Sequence, residues 1–284
     1  MSPGEHGGPS PAPPGGAPRG VLGGLKQLLC DLRSIPRGAL AVGLSVPVLL
    51  TLLDYLGMPW HYTRALERAG ASAMGTSAPR APELARWLGS PALTGNPRLD
   101  AYAWWGLCVA LTMIVLPLLV ARVFAGLSPR DVGLRLKGTL RELPTYALLY
   151  LLFVPVVWWV SRDPHFQRTY PFFRPAGGPG SGEFLLFQAI YCLQFLGVEL
   201  FFRGFIVLGL KRVLGIASVL LMLAPYCMIH YYKPLPEALG SIGAGLLLGL
   251  LSWRSGTVVY GWLLHYAVAL TMDLLALGQA PAAR

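Results

Sequence analysis

The stretch LQFLGVELFFRGFIVLGL, residues 193–210, decides the fold class. It is the centre of an apolar run that begins near residue 184 and carries the charged pair Glu199 and Arg203. A helix of about 20 residues, rising 1.5 Å per residue, crosses the roughly 30 Å hydrocarbon core of a bilayer. A charge near the middle of such a helix costs about 2.5–3.5 kcal/mol, so it has to face protein and find a partner. The stretch therefore predicts a transmembrane helix inside a bundle.

The composition of the whole chain agrees with a membrane protein. Of 284 residues, 54% are hydrophobic and only 13% are charged, too few charges to cover a water-soluble globule of this size. This excludes an ordinary soluble enzyme and a disordered protein, and four cysteines exclude a disulfide scaffold. The net charge of +10 is assigned to helix orientation and lipid headgroups, with no nucleic-acid partner expected.

The apolar runs predict an all-α fold, a polytopic transmembrane helix bundle of about seven spans. The spans are placed at 39–57, 101–124, 143–160, 184–210, 215–232, 236–252 and 256–277. Seven spans put the two termini on opposite sides, and the distribution of Lys and Arg favours a cytoplasmic N-terminus. The composition and modest length favour the cytoplasmic membrane of a prokaryote.

The remaining segments are predicted to lie outside the hydrocarbon. The Pro/Gly-rich residues 1–20 are expected to be a disordered tail, and 21–37 an amphipathic interfacial helix. Residues 38–124 hold the first two spans and an extramembrane loop at 58–100, and 278–284 form a tail. In the loop 161–183 we expect the aromatic side chains to anchor at the membrane interface, the alternative being a lid over the site.

Ionisable residues within the later spans predict a polar site inside the bundle. Glu199 and Arg203 are four residues apart, so they share a helix face and can pair. His230 and His265 lie in two other apolar runs. Neutral imidazoles facing a carboxylate can activate water or bind a metal, which favours hydrolysis over transport, although a proton relay uses the same residue types.

The order of four motifs resembles a known family. The motifs are ELFFRG at 199–204, YCMIH at 226–230, the glycine-rich PEALGSIGAGLLLGLLSWRSG at 236–256, and LLHYA at 263–267. Together they resemble the CAAX-protease and bacteriocin-processing family of intramembrane endopeptidases, also called type II CAAX prenyl endopeptidases or the Abi family. The resemblance covers 125–277, which is accordingly identified as a CAAX-protease-like membrane domain.

The resemblance implies a polar cavity in which a glutamate and a histidine activate water, while a second histidine and a nearby Asn or Asp stabilise the oxyanion. The catalytic residues it implies are Glu199, Arg203, His230 and His265. Tyr226 and Asp273 are assigned to substrate binding. The expected substrate is a membrane-anchored or lipidated peptide or protein.

The resemblance leaves the cofactor open, because such enzymes are described both with zinc and with glutamate alone. If a divalent metal is bound, its ligands are expected to be His230, His265 and Glu199. Nothing in the sequence decides between the two possibilities.

Two positions depart from the family pattern. The first of its two adjacent glutamates, credited with activating water, corresponds to Val198, and the Asn or Asp four residues after the last histidine corresponds to Ala269. Glu199 lies about 100° around the helix from Val198, and a bulge near Gly197 could turn it inward. Asp273 shares the face of His265 but lies about 12 Å along the helix, which makes it a poor substitute for the missing residue.

Three hypotheses follow. The chain is a protease with a re-sited carboxylate, in which case His230→Ala is expected to abolish activity. Alternatively it is a pseudoprotease that binds a membrane protein or peptide without cutting it. The third is a solute or proton transporter that uses Glu199, His230 and His265 as a relay.

Overall fold

The computed structural model describes residues 20–62, 94, 96–136, 139–231, 233 and 235–279. Within these ranges the chain is helical and has no strand, which confirms the all-α class. The helices are α1 (Val21–Ser34), α2 (Arg37–Gly57), α3 (Pro97–Ala125), α4 (Leu140–Val160), α5 (Pro164–Thr169), α6 (Gly182–Leu214), α7 (Ala217–Met228), α8 (Leu235–Ser255) and α9 (Val259–Gln279).

Helix α1 belongs to a unit whose described residues run from 20 to 36. Its apolar side chains are exposed, at helical spacing, as Leu22, Leu25, Leu29 and Leu32 show. The N-terminal amphipathic helix is therefore confirmed, while its place at the membrane interface stays a prediction. Most of the predicted tail at 1–20 lies outside the described residues, which begin at Gly20. Residues 63–93 and 95 of the predicted loop at 58–100 also lie outside them, and so do residues 280–284 of the predicted C-terminal tail.

The second unit, Arg37–Arg284, contains the membrane bundle. Six helices of its described part, α2, α3, α4, α6, α8 and α9, are long and apolar enough to cross a bilayer. The polytopic bundle is confirmed, but the predicted span at 215–232 is shorter than expected. Helix α7 has 12 residues, about 18 Å, because it starts only after Gly215, whose φ is 55°, and ends at Met228.

Helix α6 is the centre of the bundle, and it packs against α2, α3, α7, α8 and α9. In its most apolar window 56% of the residues are buried, compared with 6% in α4, which lies at the periphery. The helix begins at a Ser181 cap, whose hydroxyl oxygen accepts a hydrogen bond from the Phe184 amide. A central helix is where polar groups can be kept away from lipid.

Helix α6 changes its winding directly after Glu199. Residues Gly182–Glu199 are α-helical, Leu200–Leu208 form a π-helix, and Gly209–Leu214 are α-helical again. A π-helix is wider and rotates the following residues relative to an α-helical path. The bulge considered near Gly197 is therefore not found there, since the helix is regular through Gly197 and Glu199 and the π-helix begins at Leu200.

The connections gather at two ends of the bundle. At the basic end, where α3, α6 and α8 finish, the Val258 amide donates a hydrogen bond to the Gly133 carbonyl at 3.0 Å. At the loop end, the Tyr170 hydroxyl donates to both carboxylate oxygens of Glu237, at 3.0 and 2.8 Å. The loop that leads into α6 is therefore tied to the start of α8.

The aromatic residues of that loop are not the lipid-facing anchors expected from the sequence. Phe166, Tyr170 and Phe173 are 7%, 2% and 2% exposed. The ring of Phe173 packs 5.5 Å from that of Phe187 on α6. Phe166 and Tyr170 pack with Ala276 of α9, and burial of a ring on both faces is more favourable in free energy than an interfacial position.

A close contact anchors α6 to the segment after α3. A Cβ built on Gly204 would overlap the carbonyl oxygen of Val132, a backbone atom that cannot rotate away. We expect Gly204→Ala to lower the free energy of unfolding by about 1–3 kcal/mol, the usual cost of overpacking. Denaturant unfolding of the detergent-solubilised protein measures this change.

Gly209→Ala is the matched control on the same helix. A Cβ there meets its nearest atom, of Val42, at an ordinary 3.8 Å. Alanine is also the better helix former, so stability should be unchanged or slightly raised. Equal destabilisation by both substitutions would contradict the packing argument.

Candidate active site

The buried carboxylate of Glu199 is the centre of the site. Both Glu199 and Arg203 are fully buried, and the Glu199 Oε1 to Arg203 Nη1 distance is 3.2 Å. The pair forms between neighbouring turns of α6, as the four-residue spacing predicts. Because the guanidinium remains charged at all relevant pH values, it holds the carboxylate in its ionised form.

His265 of α9 approaches the same carboxylate oxygen. Its Nδ1 lies 3.1 Å from Glu199 Oε1, and 23% of its side chain is exposed. The ring of Phe195 supports the imidazole, with ring centroids 4.5 Å apart. A carboxylate can only accept a hydrogen bond, so Nδ1–H donates, and in the neutral tautomer Nε2 carries the free lone pair.

The second oxygen of Glu199 lies against α9. Among the described residues Oε2 has no hydrogen-bond partner, and a Cβ on Gly261 would approach it to 2.7 Å. Gly261 precedes His265 by one helical turn, so the two residues share a face. The missing side chain at Gly261 makes room for the carboxylate.

Gly261→Ala tests this arrangement. Glu199 cannot move aside without leaving Arg203 or His265, so the added methyl group should displace the carboxylate from its pairs. If the site is catalytic, a displacement on the order of 1 Å lowers turnover about 100-fold. The measurement is the cleavage rate at matched protein level, with folding checked by helical circular dichroism.

Gly243→Ala on α8 is the matched control, because a Cβ there meets nothing within 4 Å. Its cleavage rate should equal that of the wild type. A Gly261→Ala protein that is as active as this control would show that the position of Oε2 does not matter.

Tyr226 and His230 form the next layer of the site. The Arg203 Cζ lies 4.0 Å from the centroid of the Tyr226 ring, a cation–π contact that screens the ion pair from lipid. His230 Nδ1 lies 2.9 Å from the Tyr226 carbonyl oxygen and donates to it, since a carbonyl only accepts. The two rings are 4.8 Å apart. His230 is thus near the site but is bonded to Tyr226 and not to Glu199.

A cavity of about 130 Å³ opens beside His265. Tyr226 and His265 are its polar lining, and the rest is apolar: Leu149, Phe153, Ala244, Leu247, Leu248, Leu264 and Val268. These residues come from α4, α7, α8 and α9. The imidazole therefore borders an apolar space between helices of the bundle.

Asp273 lies apart from this site. It is fully buried, and its Oδ2 accepts a hydrogen bond from Gln188 Nε2 at 2.7 Å. Its other oxygen and Gln188 Oε1 have no partner among the described residues. The structure does not bring Asp273 to the pair formed by Glu199 and His265, so its assignment to substrate binding stays a prediction.

The two positions that depart from the family pattern are also buried. Val198 is 2% exposed and Ala269 is 5% exposed. Neither side chain can donate or accept a hydrogen bond, so Glu199 is the carboxylate that this part of α6 supplies.

The donor set does not fit a metal centre. In the described part of the chain no group of three or more His, Cys, Asp or Glu side chains is placed to hold a metal ion. Glu199 and His265 supply two donors, whereas a catalytic zinc site uses three protein ligands. His230, the third ligand expected from the sequence, is not part of such a group, and the chemistry is therefore derived from the side chains themselves.

Sequence reasoning missed two residues of the site, Gly261 and Phe195, and also Gln188, the partner of Asp273 away from the site. Gly261 carried a usable signal, a glycine one turn from His265 in an otherwise bulky run. Phe195 is four residues before Glu199, and that spacing places it on the same helix face. Gln188 had no local signal, because its partner Asp273 is far away in the chain.

Comparison with known families confirms the resemblance found in the sequence. Residues 180–271 match the family described as Type II CAAX prenyl endopeptidase Rce1-like. This range includes Glu199, Arg203, His230 and His265 and ends before Asp273. No curated protein and no solved structure matches the chain.

Proposed function

We propose that this CAAX-protease-like polytopic membrane protein is an active intramembrane endopeptidase that hydrolyses a peptide bond of a membrane-anchored or lipidated substrate. One observation carries the proposal: the buried Glu199 carboxylate is bonded to His265, whose imidazole borders a cavity. A carboxylate that orients an imidazole is the arrangement used for general-base catalysis.

In the proposed mechanism His265 activates the water. Its Nε2 removes a proton from the water while the oxygen adds to the carbonyl carbon of the scissile bond. Glu199 accepts the Nδ1–H and stabilises the imidazolium that forms, and Arg203 keeps Glu199 ionised and in place. The imidazolium then returns the proton to the nitrogen of the leaving amine, and the C–N bond breaks.

This assignment differs from the one that the resemblance implies. There the glutamate acts with one histidine and the other histidine stabilises the oxyanion. Here Glu199 is bonded to His265, the histidine of the last motif, so His265 receives the role of base. His230 donates its Nδ1–H to the Tyr226 carbonyl, so its neutral ring has no Nε2–H for an oxyanion, and we give it a structural role beside the site.

The cavity suggests the kind of substrate that enters. Its wall is apolar apart from Tyr226 and His265, and α4 on one side is the least buried of the six candidate spans in the described part of the chain. An apolar side chain or lipid anchor gains free energy in such a space, and the adjacent peptide bond is then held near the imidazole. The proposed partner is therefore a substrate in the same bilayer, and the proposed location is the cytoplasmic membrane.

A pseudoprotease is the second candidate. It is favoured by Val198 and Ala269, which replace two family residues, and by the complete burial of Glu199 against Arg203. In this case the ion pair is a structural lock and the cavity holds a peptide without cutting it.

One experiment separates the two candidates. Deletion cells are complemented at matched expression with wild type, His265→Ala or Val198→Glu/Ala269→Asn, and protein termini are compared by mass spectrometry. The protease proposal expects a set of trimmed termini with wild type that is absent with His265→Ala. If wild type and His265→Ala give identical termini, the protease proposal fails. New termini that appear only with the double variant would then support the pseudoprotease.

A further inference from the structure

A second cavity, of about 210 Å³, lies at the basic end of the bundle. Four cationic side chains line it, those of Arg130, Arg135, Lys211 and Arg212, together with one carboxylate, Asp131. Against roughly 30 Å³ for a water molecule in the liquid, this volume leaves room for a phosphate group. Neither Glu199 nor His265 lines this cavity, so it has no part in the proposed mechanism.

Two of the cations are fixed by the end of α8. Arg135 Nη2 donates to the Ser255 carbonyl at 2.7 Å, and Lys211 Nζ donates to the Trp253 carbonyl at 2.5 Å. The Lys211 ammonium also lies 4.6 Å from the centroid of the Trp253 ring. These contacts hold both side chains in position and leave each of them further N–H donors for a ligand.

Gly256 leaves space for the guanidinium of Arg135 to pack against the backbone after α8. Its φ is +66°, and a Cβ would meet Arg135 Nη2 at 2.7 Å. A residue with a side chain would be strained here and would push the guanidinium out of the pocket. The position of the Arg135 guanidinium therefore depends on a glycine at residue 256.

The carboxylate does not neutralise the pocket. Asp131 accepts hydrogen bonds from the amide and the hydroxyl of Ser128, at 2.8 and 2.6 Å. These bonds, with smaller effects of Arg212 and Arg135, hold the pKa of Asp131 below its usual value, so it stays ionised. One negative charge facing four positive charges leaves the pocket cationic.

The surroundings favour a lipid over a soluble anion. The pocket lies where three candidate spans end, and the ends of spans are where lipid headgroups are expected. Directly beyond Arg212 the side chains of Val213, Leu214 and Ile216 are 46%, 39% and 55% exposed. A ligand that combines a phosphate with acyl chains can pair with the cations of the pocket and also cover the exposed apolar side chains. Basic pockets between membrane helices bind lipid headgroups in this way.

We propose that this pocket binds the phosphate group of an anionic phospholipid in the leaflet at the basic end of the bundle. Arg130, Arg135 and Arg212 are exposed, and of these three Arg130 and Arg212 donate no hydrogen bond within the described part of the chain. Arg130 and Arg212 can therefore contact a headgroup and can be replaced without loss of an internal hydrogen bond.

The test uses the full chain, purified in detergent and mixed with phosphatidylglycerol, with phosphatidylcholine or with inorganic phosphate alone. Phosphatidylglycerol should raise the thermal unfolding midpoint, and high salt should reduce the effect. Arg130→Gln/Arg212→Gln should require about 30-fold more phosphatidylglycerol for the same rise. Arg98→Gln/Arg168→Gln, which removes two exposed charges at the loop end, should behave as wild type.

Three results would overturn the proposal. They are an equal rise with phosphatidylcholine, an equal loss in the Arg98→Gln/Arg168→Gln control, and a full rise with inorganic phosphate alone, which would identify a soluble anion as the ligand. If the double variant does not fold, Arg212→Gln and Arg98→Gln give the same comparison, with an expected difference of about fivefold.

Discussion

Glu199→Gln is expected to lower the rate of peptide cleavage by about 10²- to 10⁴-fold, the range that general acid–base catalysis contributes. Glutamine has the same shape and can still accept the Nδ1–H of His265. It carries no negative charge, however, so it does not stabilise the imidazolium that forms when Nε2 takes the proton. The loss should appear in kcat, with little change in KM, because Glu199 is buried behind the imidazole and does not touch the substrate.

The assay uses the purified protein in proteoliposomes and a substrate peptide taken from the comparison of termini. Glu142→Gln is the control for removal of a carboxylate, since Glu142 pairs with Arg141 at the surface. It should leave kcat unchanged. Wild-type kcat in Glu199→Gln would remove Glu199 from the catalytic site and leave the ion pair with a structural role only.

Arg203→Met should lower the free energy of unfolding by about 3–5 kcal/mol, the cost of leaving a buried charge without its partner. Arg203 and Glu199 are both fully buried, so water cannot take over the role of the guanidinium. The substitution also removes the cation that packs on Tyr226. Unfolding in a titration with denaturing detergent gives the value, with Arg254→Met, an exposed arginine at the end of α8, as control.

A double-mutant cycle separates the charge effect from the loss of packing. Glu199→Gln/Arg203→Met removes both charges, so most of the stability lost in Arg203→Met should return. Additive losses from the two single substitutions would show that the two side chains are not energetically coupled, contrary to the 3.2 Å contact between them.

Much of the helical fold follows from the distribution of apolar residues. The predicted span 143–160 ends with α4, and 256–277 lies within a few residues of α9 at both ends. Composition did not reveal that α7 is short, because the apolar run continues through Ile229 beyond the end of the helix. Helix α5 was missed because six residues are too few for a periodic pattern, although Asp163 before Pro164 is a helix-start signal.

The site was predictable only in its local part. Glu199 and Arg203 pair because they are four residues apart on one helix, a spacing that is visible in the sequence. The choice of His265 over His230 as the partner of Glu199 depends on how α9 packs against α6, with Gly261 providing the space. The burial of the aromatic loop is likewise a long-range effect, since it depends on contacts with Phe187 and Tyr191.

The short helix α7 has a consequence for the lipid around the protein. Its 12 residues cover about 18 Å of a hydrocarbon layer that is about 30 Å thick, and its last residue, Met228, and Tyr231 beyond it are 57% and 68% exposed. Non-helical backbone at that depth has to be met by water or by polar headgroups drawn inward. The bilayer is therefore expected to thin beside His230, which brings the water consumed in hydrolysis close to the site and makes acyl-chain length a determinant of activity.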